Sequence, residues 1–392
     1  MNKITIFLSS LMICQLGLNG SDNILSQTKQ NYLDQSYLKA IEDSDKLKND
    51  WINPIVYKYI YNKGEKYTTK RSYIGISQPI FKSGGIYYAI KYANSMEKYS
   101  KSTVDNQKKE LIKQIVNLLF QIKYIDFSIK KQQLLIENSN LEINRKKEQV
   151  LNGILDTSFL DNAILDANMK KNSLIDLEYK RVTYINNLSL LSDKNYDQFE
   201  LPSLELVNYD NYLAKNIYLS NYQEEIKSSY WVKNMVLSNY LPTVNLTADY
   251  TKYHDTDNNP MLSEDATKNI GFNITIPLDI KYSNTIESSK IEYLKKKTQL
   301  EDKQKEEINI YNLSIANIKA LDQKIKIAKS DLKLYDSLLT QMIEQQEVGM
   351  KTDSDVQTMI NSKKIKQLDI KGLEVQKQIS YLDIYARIED GQ

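Results

Sequence analysis

Two periodicities alternate along this chain. Val244, Leu246, Ala248 and Tyr250 fall on one side of a segment whose other side holds Asn245, Thr247, Asp249 and Thr251. Ile270, Phe272, Ile274 and Ile276 oppose Gly271, Asn273 and Thr275 in the same way. A repeat of two predicts strands with one apolar and one polar face. A noisier version occurs earlier: Tyr57, Tyr59 and Tyr61 alternate with Lys58, Ile60 and Asn62, and Ile74 and Ile76 with Gly75 and Ser77. The Asn62-Lys63-Gly64-Glu65 stretch reads as a turn between the first pair, and residues 254–267 as a longer loop between the second.

After each hairpin the spacing changes to alternating steps of three and four. Leu111, Ile115, Leu118, Ile122, Ile125 and Ile129 form one such series, and Leu321, Ile325, Ala328, Leu332, Tyr335, Leu339 and Met342 another. Returning segments repeat it through Leu174, Leu177, Arg181, Tyr184, Leu188 and Leu191, then Ile365, Leu368, Gly372, Val375, Ile379 and Leu382. These are coiled-coil seams. Outgoing helices of about sixty residues would each reach roughly 90 Å, far more than a compact domain needs.

The two halves share landmarks. Pro54 and Pro242, Pro79 and Pro277, and Gly153 and Gly349 stand about 188, 198 and 196 positions apart, in one order. The chain thus reads as a tandem duplication. The first repeat is expected over residues 21–198, with strands at about 54–62 and 66–80 and helices at about 83–150 and 157–193. A linker is expected at about 199–207. The second repeat follows over 208–392, with strands at about 242–253 and 268–278 and helices at about 284–346 and 353–388.

The first twenty residues differ from the rest. Lys3 precedes a largely apolar stretch over residues 4–18, and Gly20 offers a small residue for cleavage, so residues 1–20 read as a secretory signal peptide. An N-terminal anchor is the alternative, but about fifteen apolar residues are short for a spanning helix. The single cysteine, Cys14, ends Leu11-Met12-Ile13-Cys14, which resembles a lipobox; the bulky Ile13 argues against lipidation. Past the leader there is no run of eighteen apolar residues, so a membrane role would require a closed barrel. Strands of about ten residues suit a tilted membrane crossing, and the 29 tyrosines suit its aromatic girdles. Four strands cannot close a barrel, because the smallest have about eight; several chains would have to share one.

Charge and composition narrow the function further. With 52 basic and 50 acidic residues, net +2, nothing favours nucleic acid. Only 11 glycines and 6 prolines among 26% charged residues favour long helices. The Lys and Glu residues scattered over the helices read as a solvated face.

The order of these segments resembles the TolC-type outer-membrane efflux family. The resemblance rests on Tyr240-Leu241-Pro242-Thr243-Val244-Asn245-Leu246, Phe272-Asn273-Ile274-Thr275-Ile276-Pro277-Leu278, a long helix, then Glu347-Val348-Gly349-Met350-Lys351-Thr352-Asp353-Ser354-Asp355-Val356. Gln78-Pro79-Ile80-Phe81-Lys82-Ser83-Gly84-Gly85 is similar to the family's strand-to-helix signature in the first half. The resemblance implies an α plus transmembrane β fold: a homotrimer in outer-membrane lipid, with a twelve-stranded barrel and a periplasmic α-helical tunnel. It also implies an exit duct for a tripartite efflux pump or type I secretion, served by an inner-membrane transporter and a periplasmic adaptor. A secreted or periplasmic coiled-coil scaffold or adhesion protein is the alternative. It leaves the alternating hairpins without a purpose.

The resemblance implies an acidic gate in the last helix. Asp355 matches its first position, Thr358 stands at its second, and Asp353 lies nearby. A Thr352-to-Asp355 capping box would equally explain Asp355, and Ser158 to Asp161 reads as its first-half counterpart. Asn152, Gly153, Gly349 and Thr352 are expected at the tips, where an adaptor would dock. Asp279-Ile280-Lys281-Tyr282 stands where the family often has paired glycines. The Asp255-Thr256-Asp257-Asn258-Asn259 stretch fails as a calcium loop, since Pro260 replaces the glycine and Ala266 the last glutamate. His254, the sole histidine, lacks partners for zinc or triad chemistry, and no phosphate loop occurs, so no enzyme and no cofactor is expected.

Overall fold

A computed structural model describes residues 24–64, 68–255 and 266–389. The leader with Cys14, Glu65 and the calcium-like residues 256–259 lie outside the described residues. Along the chain run α1 (Gln27–Asn49), β1 (Val56–Lys63), β2 (Thr68–Phe81), α2 (Gly85–Leu151) and α3 (Thr157–Ser189). After a short 3-10 turn come α4 (Tyr209–Ala214), α5 (Ile217–Ser238), β3 (Thr243–Asp255), β4 (Ala266–Thr275), α6 (Tyr282–Glu347) and α7 (Asp353–Tyr385). The outgoing helices α2 and α6 hold 67 and 66 residues, and the returning helices α3 and α7 hold 33 each. Each hairpin is also preceded by a helix, α1 or α5, which periodicity alone does not announce.

Contacts divide the chain into two compact units, neither of which is a single repeat. Of the described residues, one contains 24–32, 106–217 and 306–389; the other contains 33–64, 68–105, 218–255 and 266–305. Both halves of the chain therefore contribute to each. Among the described residues no helix is long and apolar enough to cross a membrane.

The second unit holds one antiparallel sheet in the order β1-β2-β3-β4. The two hairpins join through β2 and β3, which pair from Lys70 with Asp255 to Phe81 with Val244. In this unit α1 lies on α2 through small residues: Ser44 is buried, and its hydroxyl donates to the Ala93 carbonyl at 3.1 Å. Glu97 ties the pair together, accepting from Lys48 at 2.9 Å and from Lys101 at 2.7 Å. Hydrogen bonds from Lys101, Lys48 and Ser44 pull the Glu97 carboxyl down to about 2. An unfolded-state glutamate titrates near 4.3, so this contact stabilises the unit fully above that value. Its contribution drains away as pH falls towards about 2. Acid unfolding of Glu97→Gln should therefore show less loss between pH 5 and 2 than wild type, and an unchanged slope would contradict the assignment.

In the first unit the core is built from Ile112, Val116 and Phe120 of α2, Tyr311 and Ile318 of α6, and Tyr381, Leu382 and Ile384 near the end of α7. The expected seams supply its apolar contacts: Ile115, Ile122 and Ile125 of α2 and Leu321 and Ile325 of α6 are all buried. Gly372, at a seam position of α7, accommodates Tyr124; a Cβ there would stand 3.3 Å from the ring. The segment between α3 and α4 is held firmly. Leu204 is buried, its N–H donates to Gln378 at 2.7 Å, and its carbonyl accepts from the same amide at 3.2 Å.

Candidate channel surfaces

The sheet has two chemically distinct faces. Register places Tyr57, Ile74, Tyr250 and Lys268 in one row, Ile76, Ala248 and Ile270 in the next, then Gln78, Leu246 and Phe272, and Phe81, Val244 and Ile274, so this face is apolar except for Lys268 and Gln78 at its margins. The opposite face carries Gly75, Asp249 and Asn269, then Ser77, Thr247 and Gly271, then Asn245 and Asn273. Polar groups there bond across the strands: Asn245 donates to Asn273 at 3.0 Å, Thr247 to the Gly271 carbonyl at 3.1 Å, and Asn269 to Asp249 at 3.0 Å. The apolar face is uncovered, with Ile270 84% and Phe272 73% exposed. A soluble sheet would bury that face. Its edge strands β1 and β4 each pair on one side only within the chain. Tyr73 folds over Gly75 on the polar face, where a Cβ would meet its hydroxyl at 2.2 Å. His254 shares a 2.7 Å hydrogen bond with Ser72. Among the described residues no group of three His, Cys, Asp or Glu side chains could hold a metal ion.

The second surface is formed by the helix turns of the first unit. Gly153 and Gly349 have φ of 70° and 77°. Each closes its helix identically. Gly153 N–H donates to Val150 and Ile154 N–H to Gln149 at 2.8 Å, while Gly349 N–H donates to Gln346 and Met350 N–H to Gln345 at 2.8 Å. A left-handed residue after the helix end permits this six-to-one closure. Alanine at either glycine is expected to cost about 1–2 kcal/mol from backbone strain alone, because open space surrounds both positions. Thermal melting of each single variant checks this, and an unshifted midpoint would contradict it.

Beyond the turns the two restarts differ. Thr352 and Asp355 form the expected capping box, with Asp355 N–H donating to the Thr352 hydroxyl at 3.2 Å and Thr352 N–H to the Asp355 carboxylate at 3.1 Å. In the first half the cap is Asp156, which accepts from Ser158 N–H at 2.9 Å, so the expected box from Ser158 to Asp161 does not form. The helix already includes Thr157, which leaves Ser158 inside it.

Hydrogen bonds from Thr352 hold the Asp355 carboxyl below the usual carboxylate range. Asp355 also lies 3.5 Å from Arg145 of α2, which in turn bonds Glu142. Asp353 accepts from Gln346 at 2.5 Å, and the Thr358 hydroxyl turns back to the Ser354 carbonyl. Cap and charge pair therefore coexist at Asp355. Arg145 is a partner that no motif marked.

A third feature overturns the reading of helix charges as uniformly solvated. Glu307 of α6 is fully buried. It accepts from Tyr212 at 2.7 Å, Asn216 at 3.0 Å and Arg387 at 2.8 Å. Burial and the neighbouring carboxylate push the Tyr212 hydroxyl well above its ordinary value. Backbone pairing surrounds this node, with Ile217 N–H donating to Arg387 at 2.9 Å and Glu389 N–H to Lys215 at 2.7 Å. The node fastens α4 and the segment just after α7 to α6.

Residues 234–386 match the family model of the outer membrane efflux proteins. No curated protein matches the sequence. Among solved structures, the outer membrane protein VceC of Vibrio cholerae aligns with a TM-score of 0.74 at 12% identity, over 93% of this chain and 94% of that one. The CmeC outer membrane channel of Campylobacter jejuni gives 0.74 at 11%, over 92% and 82%. The MtrE outer membrane channel of Neisseria gonorrhoeae, solved in its open state, gives 0.66 at 11%, over 92% and 86%. At such identities the likeness is one of fold. The fold is that of the TolC-type outer-membrane channels. The family match covers residues 234–386, in the second half of the chain.

Proposed function

We propose that this chain is one protomer of a passive export duct in which three copies close a twelve-stranded barrel and the long helices form a periplasmic tunnel. The carrying observation is the open four-stranded sheet with an uncovered apolar face, a hydrogen-bonded polar face and two unpaired edges. Lipid satisfies the first face and water the second, and only neighbouring copies can satisfy the edges. An inner-membrane transporter and a periplasmic adaptor would supply energy and cargo, as in a tripartite efflux pump or type I secretion. The duct does no covalent chemistry.

The turns at Asn152, Gly153, Gly349 and Thr352 would meet the adaptor, and Leu151, Ile154, Val348 and Met350 are exposed beside them. Asp355, with Asp353 and Thr358 on the same helix, would form the gate, one carboxylate per copy, where converging charge favours cations. Planar-bilayer recordings of the purified oligomer test this. A cation-selective conductance that loses much of its selectivity in Asp355→Asn is expected. No conductance from a correctly inserted oligomer would contradict the duct.

A further inference from the structure

Where the sheet gives way to helices, aromatic and basic side chains gather. Tyr87 and Tyr88 of α2 pack on Trp231 of α5, with ring centres 6.2 and 6.3 Å apart, and Tyr230 meets Trp231 at 5.0 Å. Lys91 lies over the Tyr87 ring at 5.5 Å, and Lys233 over Tyr230 at 4.8 Å. Several lysines of α5 and α6 have carboxylate partners: Lys227 pairs with Glu224, Lys290 with Glu287, and Lys296 with Glu225, whereas Lys297 lies over Tyr293 at 4.9 Å. Lys91 and Lys233 have none among the described residues, only tyrosine rings. A ring face attracts an ammonium without offering it a counter-charge, so neither lysine is ion-paired there. Their depth is set by the same unit. Lys91 stands six residues into α2 and Lys233 five residues before the end of α5, about 8–9 Å from those helix ends by helical rise. The apolar band runs past β4 through exposed Ile276, Leu278 and Ile280 to the start of α6 at Tyr282. Beyond a hydrocarbon layer lies roughly 5–8 Å of headgroups, within reach of a flexible lysine.

We propose that this collar binds anionic phospholipid headgroups of the periplasmic leaflet, with Lys91 and Lys233 donating to the lipid phosphate and Tyr87, Tyr230 and Trp231 seated in the interface. The inference rests on the sheet being membrane-embedded. It adds a lipid preference that the barrel itself does not require, since aromatic girdles serve any lipid.

The full-length oligomer is reconstituted in vesicles of phosphatidylethanolamine alone or with phosphatidylglycerol, and co-purifying lipid is counted by native mass spectrometry. Wild type is expected to enrich phosphatidylglycerol, with roughly a fivefold loss of enrichment for each of Lys91→Gln and Lys233→Gln. Lys233→Arg should restore it, and Lys290→Gln, which removes a carboxylate-paired lysine, should change nothing. Equal enrichment in wild type and the double variant would overturn the collar. Failure to insert into either vesicle would instead remove the membrane reading beneath it.

Discussion

Ile270→Lys is expected to abolish the stable oligomer. Ile270 sits midway along β4 on the uncovered face, in the row of Ile76 and Ala248. A lysine near the bilayer midplane on a lipid-facing strand costs about 2–4 kcal/mol. Three copies would each bear that cost, roughly 6–12 kcal/mol per barrel, comparable to the whole stability of a typical domain. The adjacent substitution Asn269→Lys puts the same charge on the polar face beside Asp249 and should assemble almost normally. Heat-sensitive oligomer bands from detergent-extracted membranes distinguish the two. Tolerance at 270 with loss at 269 would reverse the assignment of the faces.

The second large effect is expected at the buried node. Arg387→Met takes the guanidinium away from the buried Glu307 carboxyl. Losing one partner of such a pair costs about 3–5 kcal/mol. Glu307→Gln combined with Arg387→Met removes both charges and should recover much of that loss, since Tyr212 and Asn216 can still bond an amide. Chemical denaturation of the purified protein reads both. An Arg387→Met variant that unfolds alongside wild type would show that the pair contributes little.

The sequence displayed some of these features openly and concealed others. Strands were legible because Val244 to Tyr250 and Ile270 to Ile276 alternate without interruption, which only a two-faced sheet uses. The long helices were legible because their seams carry large apolar residues over many turns. α1 was not, because it buries Ala40 and Ser44 alongside Leu33, and small residues leave no apolar stripe. α5 mixes Tyr, Trp, Ser and charged residues on all sides, and at a membrane interface that mixture is useful but aperiodic.

Glu307 also carries a signal in the sequence. Stepping back from Leu321 by three and four gives Ile318, Ser314, Tyr311 and Glu307, so the glutamate occupies a seam position and a buried partner was implied. Its partner Arg387 lies 80 positions away, beyond any local pattern. Asp355 was visible as a cap and as a charge, but only the folded first unit brings Arg145 beside it.

Whether β1 of one copy pairs with β4 of the next is the question on which the duct depends. In a Cys14→Ser background, Lys58→Cys in β1 can be combined in turn with Asn269→Cys, Gly271→Cys and Asn273→Cys, all on the polar face. A disulfide forms only where the Cα atoms come within about 7 Å. Oxidation of one of these pairs in intact outer membranes should yield covalent dimers and trimers and nothing larger, as a ring closed by three copies requires. Monomers at every register, or a ladder continuing past three, would contradict it.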